Sequence, residues 1–376
     1  MQDDGHQSSL DFDGSKCIQQ KKRMTFTDLL SRLAAPIVQA PMAGSQNHRL
    51  AAAVCEAGGL GSLPAAMLSP TDLQLELTAL TQATQAPFNV NFFCHTPPVA
   101  DAQSQVLWQQ TLAPFYQELG LSLNSVANGN ARLPFNHDSA DVLQAFRPPV
   151  VSFHFGLPAA DLLARVRSWG SLVLSSATTV QEALWLESQG VDAIIAQGLE
   201  AGGHRGMFLS SDLTTQIGTF ALLPQVVQAV KVPVIAAGGI ATPECVRAAK
   251  ALGAAGVQIG TSYLCSHEAT TSALHRAALL SPMAQHTALT NVFSGRPARG
   301  VVNRIMRELG PMCAHSPAFP LATAALTPLR AAAEAIGSSD FSPLWSGQNT
   351  AGVRTSAAAD ITRDFAKAWR FDSSHA

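Results

Sequence analysis

Eight short apolar runs recur between residues 36 and 260, and longer amphipathic stretches separate them. The runs are continuous rather than alternating, which is typical of parallel strands that are buried on both faces. An alternation of such strands with helices is the pattern of an α/β protein. The predicted strands are 36–40, 59–63, 88–93, 149–153, 171–175, 191–197, 232–237 and 255–260.

The helices between these strands have recognisable ends. Ser69 followed by Pro70 places a helix cap before a proline at the first helical position. Gly58, Gly190 and Gly253 stand where C-terminal caps are expected. Eight strand–helix units predict a closed (β/α)8 TIM barrel. The alternative is a doubly wound open sheet, but its GxGxxG fingerprint is missing after the first strand.

Two stretches are longer than the barrel repeat requires. Residues 97–147 hold an amphipathic segment and a polar loop, which predict an insertion after strand three. Residues 262–376 are rich in Ala and Leu and predict a helical C-terminal elaboration packed on the barrel. Residues 1–24 are polar and predict a flexible extension. The barrel itself is then expected to span residues 25–261, with the amphipathic segment formed by Val106, Leu107, Trp108, Leu112, Phe115, Tyr116 and Leu119.

Composition excludes several classes of protein. Of 376 residues 47% are hydrophobic and 13% are charged, which is the opposite of a disordered chain. A net charge of −2 gives no electrostatic reason to expect a nucleic-acid partner. No apolar run of about 18 residues predicts a membrane span, and the N-terminus lacks the apolar segment of a signal peptide. The sequence therefore predicts a cytoplasmic protein.

The cysteines and histidines give no indication of a metal site. None of the six cysteines is closer than 20 residues to another, so no CxxC pair is present. HExxH and GxSxG motifs are also absent, which argues against a zinc hydrolase and a serine hydrolase. We expect scattered, reduced thiols and no bound metal.

Glycine loops follow the seventh and eighth predicted strands. Gly238 and Gly239 follow strand seven, and the segment Gln258, Ile259, Gly260 and Thr261 closes strand eight. Backbone N–H groups that glycine frees next to a helix N-terminus form a cradle for an anion. In barrels the loops after strands seven and eight are a frequent phosphate site. Two adjacent loops of this kind predict phosphate binding.

A third loop joins an imidazole to glycines. Strand six ends at Gln197, and the loop that follows contains Gly202 and His204. Glycines let the backbone approach a flat ligand closely, and a histidine after a strand is expected to face the active end of the barrel. Asn91 and Gln197 carry amides that suit the pyrimidine edge of a flavin.

The ordered set of these motifs resembles the class I nitronate monooxygenases, formerly called 2-nitropropane dioxygenases, which are FMN-dependent TIM barrels. The resemblance extends from residue 36 to about residue 350. The matching segments are 36–44, 57–61, 89–95, 152–156, 197–206, 236–240, 258–261, 293–299 and 344–348.

The resemblance implies a role for each of the residues singled out above. Asn91 and Gln197 would bind the isoalloxazine ring, and Gly202 would let its loop close over the ring. Met42, which follows strand one, would also contact the cofactor. His204 would be the catalytic residue near the flavin N5. The phosphate end of FMN would contact Gly238, Gly239, Gln258, Ile259, Gly260 and Thr261.

The implied reaction is oxidation of alkyl nitronates, such as propionate 3-nitronate, by O2 to a carbonyl compound and nitrite. We expect a small-molecule nitronate and O2 as the reaction partners, and a monomer or a homodimer. One alternative is an NADH-dependent flavin enoyl reductase, whose barrels share the Gly-Gly-His loop. A second alternative is a flavin-binding protein without turnover. The segments 89–95, 296–299 and 345–348 favour the nitronate reaction over the reductase.

Overall fold

The fold is a closed barrel of eight parallel strands, and the computed structural model describes residues 23–99, 101–123 and 132–371 of the chain. The sheet order is β1-β9-β8-β6-β5-β4-β3-β2. A parallel bridge between Val38 and Leu60 closes the ring. The strands are β1 (Ile37–Gln39), β2 (Gly61–Pro64), β3 (Phe88–Phe93), β4 (Val150–His154), β5 (Leu172–Ala177), β6 (Ala193–Gln197), β7 (Gly203–His204, outside the barrel), β8 (Val234–Ala237) and β9 (Gly256–Ile259).

All eight predicted strands are present, which confirms the predicted TIM barrel. The predicted strands seven and eight are β8 and β9, because β7 is a separate two-residue strand. Residues alternate between the inside of the barrel and the surrounding helices, so both faces of each strand are buried. Ile195 packs inside the barrel, whereas its neighbour Ile194 packs towards the helices. This double burial explains why the strands appear as continuous apolar runs.

Helices surround the barrel and close its lower end. Ser69 accepts a hydrogen bond from the backbone N–H of Asp72, as the predicted cap requires. Phe26 and Leu29 of the first helix pack into the barrel interior from below. The helices are α1 (Phe26–Arg32), α2 (His48–Glu56), α3 (Pro70–Ala83), α4 (Ala102–Glu118), α5 (His137–Phe146), α6 (Ala160–Ser168), α7 (Val180–Ser188), α8 (Thr219–Ala229), α9 (Pro243–Ala251), α10 (Ala273–Leu279), α11 (Arg304–Glu308), α12 (Ala322–Ala335) and α13 (Ala358–Arg370).

A second apolar core lies beside the barrel and joins two distant parts of the chain. Helix α4 packs against α12, and the Trp108 indole N–H donates to the backbone carbonyl of Ala322 at 3.1 Å. For two residues of the predicted apolar face of α4 the prediction is wrong. Val106 is 51% exposed and Leu107 is 38% exposed, because they lie on the side of the helix opposite Trp108 and Leu112.

The C-terminal region contains strands as well as the expected helices. Strands β10 (Thr287–Thr290) and β11 (Ala298–Val301) form an antiparallel sheet, and β7 pairs with the free edge of β11. This sheet is not predicted from the sequence, and it connects the loop after β6 directly to the C-terminal region. Helix α13 returns to the barrel and packs against α9 and α2.

The predicted insertion, residues 97–147, contains helices from two of these packing units. Helix α5 packs between α3 and α6 in the outer layer of the barrel, whereas α4 belongs to the second core. Residues 1–22 of the expected N-terminal extension lie outside the described residues. The two remaining residues contact the barrel: Arg23 forms an ion pair with Asp192, and Met24 packs beneath the strands. We retain the division into extension, barrel and C-terminal elaboration as a proposal.

Candidate active site

A deep cavity opens at the C-terminal end of the barrel strands, where a barrel places its active site. It encloses about 1330 Å³, including solvent at its mouth. The predicted site residues that line it are Met42, Asn91, Gln197, Gly202, His204, Gly238, Gly239, Gln258, Gly260 and Thr261.

One predicted cofactor contact does not line this cavity. The side chain of Ile259 packs between the barrel and its helices. The backbone carbonyl of Ile259 accepts from the Ala40 N–H at 2.8 Å, so it is engaged at the closure of the barrel. Strand alternation explains the difference, because Gln258 and Ile259 must face opposite sides of the sheet.

Backbone groups form one end of the cavity. Gly238 and Gly239 have φ values of 110° and 71°, a left-handed turn that favours glycine. Gly260 leads into a 3-10 helix that begins at Thr261. The amide oxygen of Gln258 is buried and has no hydrogen-bond partner in the described part of the chain. This end therefore presents turned backbone and an unsatisfied amide to a ligand.

The C-terminal segment closes over this end. The backbone N–H of Gly347 donates to the Thr261 hydroxyl at 2.9 Å, and the Asn349 side chain donates to the Gly239 carbonyl at 2.9 Å. A Cβ atom on Gly202 would lie 2.5 Å from the backbone nitrogen of Gly347. Glycine is therefore required where the loop after β6 crosses this segment.

The two predicted amides have different environments. The Asn91 amide nitrogen donates to the Ser152 hydroxyl at 2.9 Å, and its oxygen accepts from no described residue. In Gln197 both polar atoms of the amide are hydrogen-bonded. Its nitrogen donates to the backbone carbonyl of His204 at 3.0 Å, and its oxygen accepts from the Gly206 N–H at 2.8 Å. Asn91 thus keeps an acceptor for a ligand, whereas Gln197 holds the histidine loop in place.

The histidine loop is a short strand rather than an open glycine turn. Gly203 and His204 pair with Arg299 and Ala298 of β11. The backbone carbonyl of His204 also accepts from the His154 Nε2–H at 3.1 Å. Buried Arg205 donates to the backbone carbonyls of Gln197 and Gly198. Three independent sets of hydrogen bonds therefore fix the position of His204.

The His204 imidazole sits among aromatic side chains. Its ring centroid lies 5.3 Å from that of Phe319 and 5.5 Å from that of Trp345, with Phe93 and Phe155 also near. Nε2 is 2.8 Å from the Ser294 hydroxyl, which is in turn directed at the carbonyl of Arg296. If the hydroxyl donates to that carbonyl, Nε2 carries the proton and Nδ1 is the basic nitrogen.

Burial lowers the pKa of His204 well below its ordinary value, and the charge of Arg132 lowers it further. Burial also lowers the pKa of His154 to about 4. Both imidazoles are therefore neutral near pH 7. A neutral imidazole beside a cavity can accept a proton or a hydrogen bond, whereas an imidazolium could only donate.

Several residues at this site have no role that the sequence alone assigns. His154 is the last residue of β4, and this position at the C-terminal end of a strand could have indicated that it belongs to the site. Ser294, Trp345 and Asn349 lie in or beside segments that resemble the family without indicating a function. Arg132 lies in the polar part of the predicted insertion, where no local pattern distinguishes it.

The other groups considered at this site are potential metal ligands and the thiol of Cys94. Among the described residues no cluster of three or more His, Cys, Asp or Glu side chains could hold a metal ion. Cys94 is the cysteine closest in sequence to the predicted flavin contacts, and burial raises the pKa of its thiol well above the ordinary value.

No helix in the described ranges is long and apolar enough to cross a membrane.

Comparison with known proteins gives a consistent result. A family model described as nitronate monooxygenase matches residues 25–365. A nitronate monooxygenase of Paraburkholderia phytofirmans is 41% identical over 331 residues, covering 87% of this chain and 90% of the relative. One of Pseudomonas aeruginosa is 40% identical over 341 residues, covering 90% and 97%. The structure of nitroalkane oxidase from Streptomyces ansochromogenes superposes with a TM-score of 0.82 at 39% identity, covering 91% and 97%.

Proposed function

The chain belongs to the nitronate monooxygenase family, and from that premise we propose an FMN-dependent enzyme that oxidises alkyl nitronates, such as propionate 3-nitronate, to a carbonyl compound and nitrite. O2 is the proposed second substrate. The observation that carries the proposal is the position of His204, a neutral imidazole held by hydrogen bonds at the cavity that Asn91 also lines.

The described residues fit FMN. The turned backbone at Gly238 and Gly239, together with the start of the 3-10 helix at Thr261, suits one phosphate group. The unsatisfied Gln258 oxygen suits an N–H or hydroxyl donor of a cofactor. The Asn91 oxygen, which accepts from no described residue, suits a second such donor. We propose that Met42, Gly202 and Gly260 complete the walls that hold it.

When bound, FMN supplies the electron acceptor for the substrate and the route by which electrons reach O2. The protein holds the substrate beside it. Phe319, Trp345 and Phe93 surround the His204 ring with apolar surface, and Phe93 and Trp345 also line the cavity. Apolar surface of this kind strengthens hydrogen bonds and charge interactions with a bound substrate.

His204 has two proposed tasks. For a nitronate, which has already lost its α-proton, the imidazole orients the substrate by hydrogen bonding. For a neutral nitroalkane, Nδ1 accepts the α-proton before oxidation. The similarity to a nitroalkane oxidase supports this second substrate class. Ser294 positions the ring by binding Nε2, so that Nδ1 remains available.

The proposed reaction is tested by comparing two electron donors. Purified, flavin-loaded protein is mixed under air with propionate 3-nitronate in one cell and NADH in another, while oxygen and flavin absorbance are followed. We expect oxygen consumption and nitrite with the nitronate alone. Oxidation of NADH without response to the nitronate would favour the enoyl reductase. No response to either would favour a flavin-binding protein without turnover.

The cofactor is tested separately by acid release and chromatography. We expect a yellow protein with about one FMN per chain, bound without a covalent link. Recovery of FAD, or failure to retain any flavin after reconstitution, would contradict the assignment. This test does not depend on the choice of substrate.

A further inference from the structure

Arg132 brings a positive charge to the active-site cavity. Among the described residues that line the cavity, it is the only Lys, Arg, Asp or Glu. Its guanidinium carbon lies 5.8 Å from the ring centroid of Phe319, and the His204 ring lies 5.3 Å from the same centroid. The cation and the proposed catalytic imidazole therefore lie near the same phenyl ring, and both line the cavity.

This cation has no anionic partner in the described part of the chain. Burial lowers the pKa of Arg132, and no nearby carboxylate counteracts the effect. Residues 124–131, which precede it, lie outside the described residues but contain no Asp or Glu. The guanidinium is partly buried and stays protonated, and leaving a partly buried charge unpaired is costly. A ligand with a negative charge would satisfy it.

The backbone around Arg132 holds it at this wall. The Arg132 carbonyl accepts from the His95 Nε2–H at 3.1 Å, and the backbone N–H of Phe135 donates to the carbonyl of Phe93 at 2.8 Å. These two contacts connect the segment to the end of β3. The phosphate end of the cavity, at Gly239 and Thr261, is formed by β8 and β9 on a different part of the barrel.

We propose that Arg132 determines substrate specificity by binding a second negative group on the nitronate. The inference rests on the proposed function and deepens it. A substrate whose nitro carbon lies at His204 would extend an anionic group through the cavity to the guanidinium. Propionate 3-nitronate, with its carboxylate, has this second charge, and propyl-1-nitronate of similar length lacks it. Arg132 should therefore favour the former over the latter.

The test measures the ratio of kcat/KM for propionate 3-nitronate to that for propyl-1-nitronate. In Arg132→Met, which keeps the length but removes the charge, we expect this ratio to fall about tenfold to a hundredfold, the range for a charge-assisted hydrogen bond. The fall should come from KM for the carboxylated substrate. Arg132→Lys keeps the charge and should retain much of the preference. Equal losses on both substrates would overturn the proposal, because Arg132 would then act on the nitronate group itself.

Inhibition of the wild-type protein provides a measurement that does not depend on a variant folding. Succinate has two carboxylates at the spacing of the proposed substrate, and butyrate has one. Succinate should inhibit propyl-1-nitronate oxidation at least about tenfold more strongly than butyrate. Equal inhibition by the two acids would overturn the role of Arg132. A wild type that oxidises neither nitronate would instead contradict the proposed function, so the two failures are distinguishable.

Discussion

The two ends of the cavity are built in different ways. The end proposed for the phosphate consists mainly of backbone at Gly238, Gly239 and Gly260, in loops that directly follow β8 and β9. The end proposed for the substrate consists of side chains from distant segments, including Arg132, Ser294 and Trp345. Changes at the first end should therefore affect cofactor affinity, and changes at the second should affect turnover.

The largest expected effect is at the substrate end. His204→Asn keeps a hydrogen-bonding side chain but removes the basic nitrogen. We expect kcat/KM for a neutral nitroalkane to fall about 10²–10⁴-fold, the usual loss for a general base. Turnover of the matched nitronate should fall far less, because its α-proton is already gone. FMN content should be unchanged.

His204→Asn also tests whether His204 acts as a base or as a cofactor ligand. Steady-state kinetics on a matched nitroalkane and nitronate are measured together with flavin content. Equal losses on both substrates would reject the base role. A flavin-free variant would make His204 a cofactor ligand and would remove the distinction between the two ends of the cavity.

The next effect is expected at the phosphate end. Gly239 has a φ of 71°, and a Cβ atom there would lie 3.3 Å from the Cβ of Glu200. The left-handed conformation alone costs a residue with a side chain about 1–2 kcal/mol. Relief of this strain would move the turn that is proposed to hold the phosphate. Gly239→Ala should therefore weaken FMN binding about tenfold, as measured by titration of the apoprotein, and leave kcat unchanged at saturating FMN.

Gly337 offers a matched control for that variant. It follows α12, away from the cavity, with a φ of 78° and no heavy atom within 4 Å of the position that a Cβ atom would take. Gly337→Ala should lower stability by a similar amount without changing FMN affinity. Equal weakening of FMN binding in both variants would show that the effect of Gly239→Ala is general backbone strain.

A smaller effect is expected for the residue that positions the imidazole. Ser294→Ala removes the hydroxyl 2.8 Å from His204 Nε2, a bond worth about 1 kcal/mol. We expect kcat/KM for the nitroalkane to fall about fivefold, with FMN affinity unchanged. Ser294→Thr keeps the hydroxyl and should recover most of the rate. Failure of threonine to do so, with a normal fold, would contradict the positioning role.

The kcat/KM for a nitroalkane should depend only weakly on pH above the ordinary pKa range of histidine. The pKa of His204 is held well below 6.5, and only the neutral ring can accept a proton. Nitroalkane kcat/KM should therefore rise with pH through that low pKa and stay level from about pH 7 to 8. A rise centred near pH 6.5 or higher would show that the imidazole is not shielded as the structure indicates.

The smallest expected effect is at Cys94. Burial keeps its thiol protonated, so it is a poor nucleophile. Cys94→Ser should change kcat/KM by much less than tenfold, which corresponds to roughly 1.4 kcal/mol of barrier. A larger loss in a properly folded, flavin-loaded variant would require a role for the end of β3 that involves the thiol.

The contrast between the two ends also explains what could be predicted from the sequence. The barrel strands and the glycine loops are local patterns, so Gly239 and Thr261 could be placed from periodicity and strand ends alone. The pairing of β7 with β11 joins residues nearly a hundred positions apart, and a two-residue Gly-His strand has no periodicity to detect. Ser294 and Arg132 could not be assigned to the site from the sequence, because they reach it from segments that are far from β6 along the chain.

Side-chain direction is the second limit on prediction. Adjacency along the chain groups Ile259 with Gln258, but alternation turns the Ile259 side chain to the helices. Gln197 lines the cavity as expected, but the sequence gives no indication that both ends of its amide also bind the histidine loop. The position of a residue along the chain is therefore more predictable than the partner of its polar atoms.

The most direct test of the central claim is the anaerobic spectrum of the flavin-loaded protein after addition of propionate 3-nitronate. We expect the nitronate alone to reduce the flavin and bleach its yellow absorbance, without any nicotinamide. Admission of O2 should then restore the absorbance and release nitrite. A spectrum that does not change with the nitronate but is bleached by NADH would contradict the account.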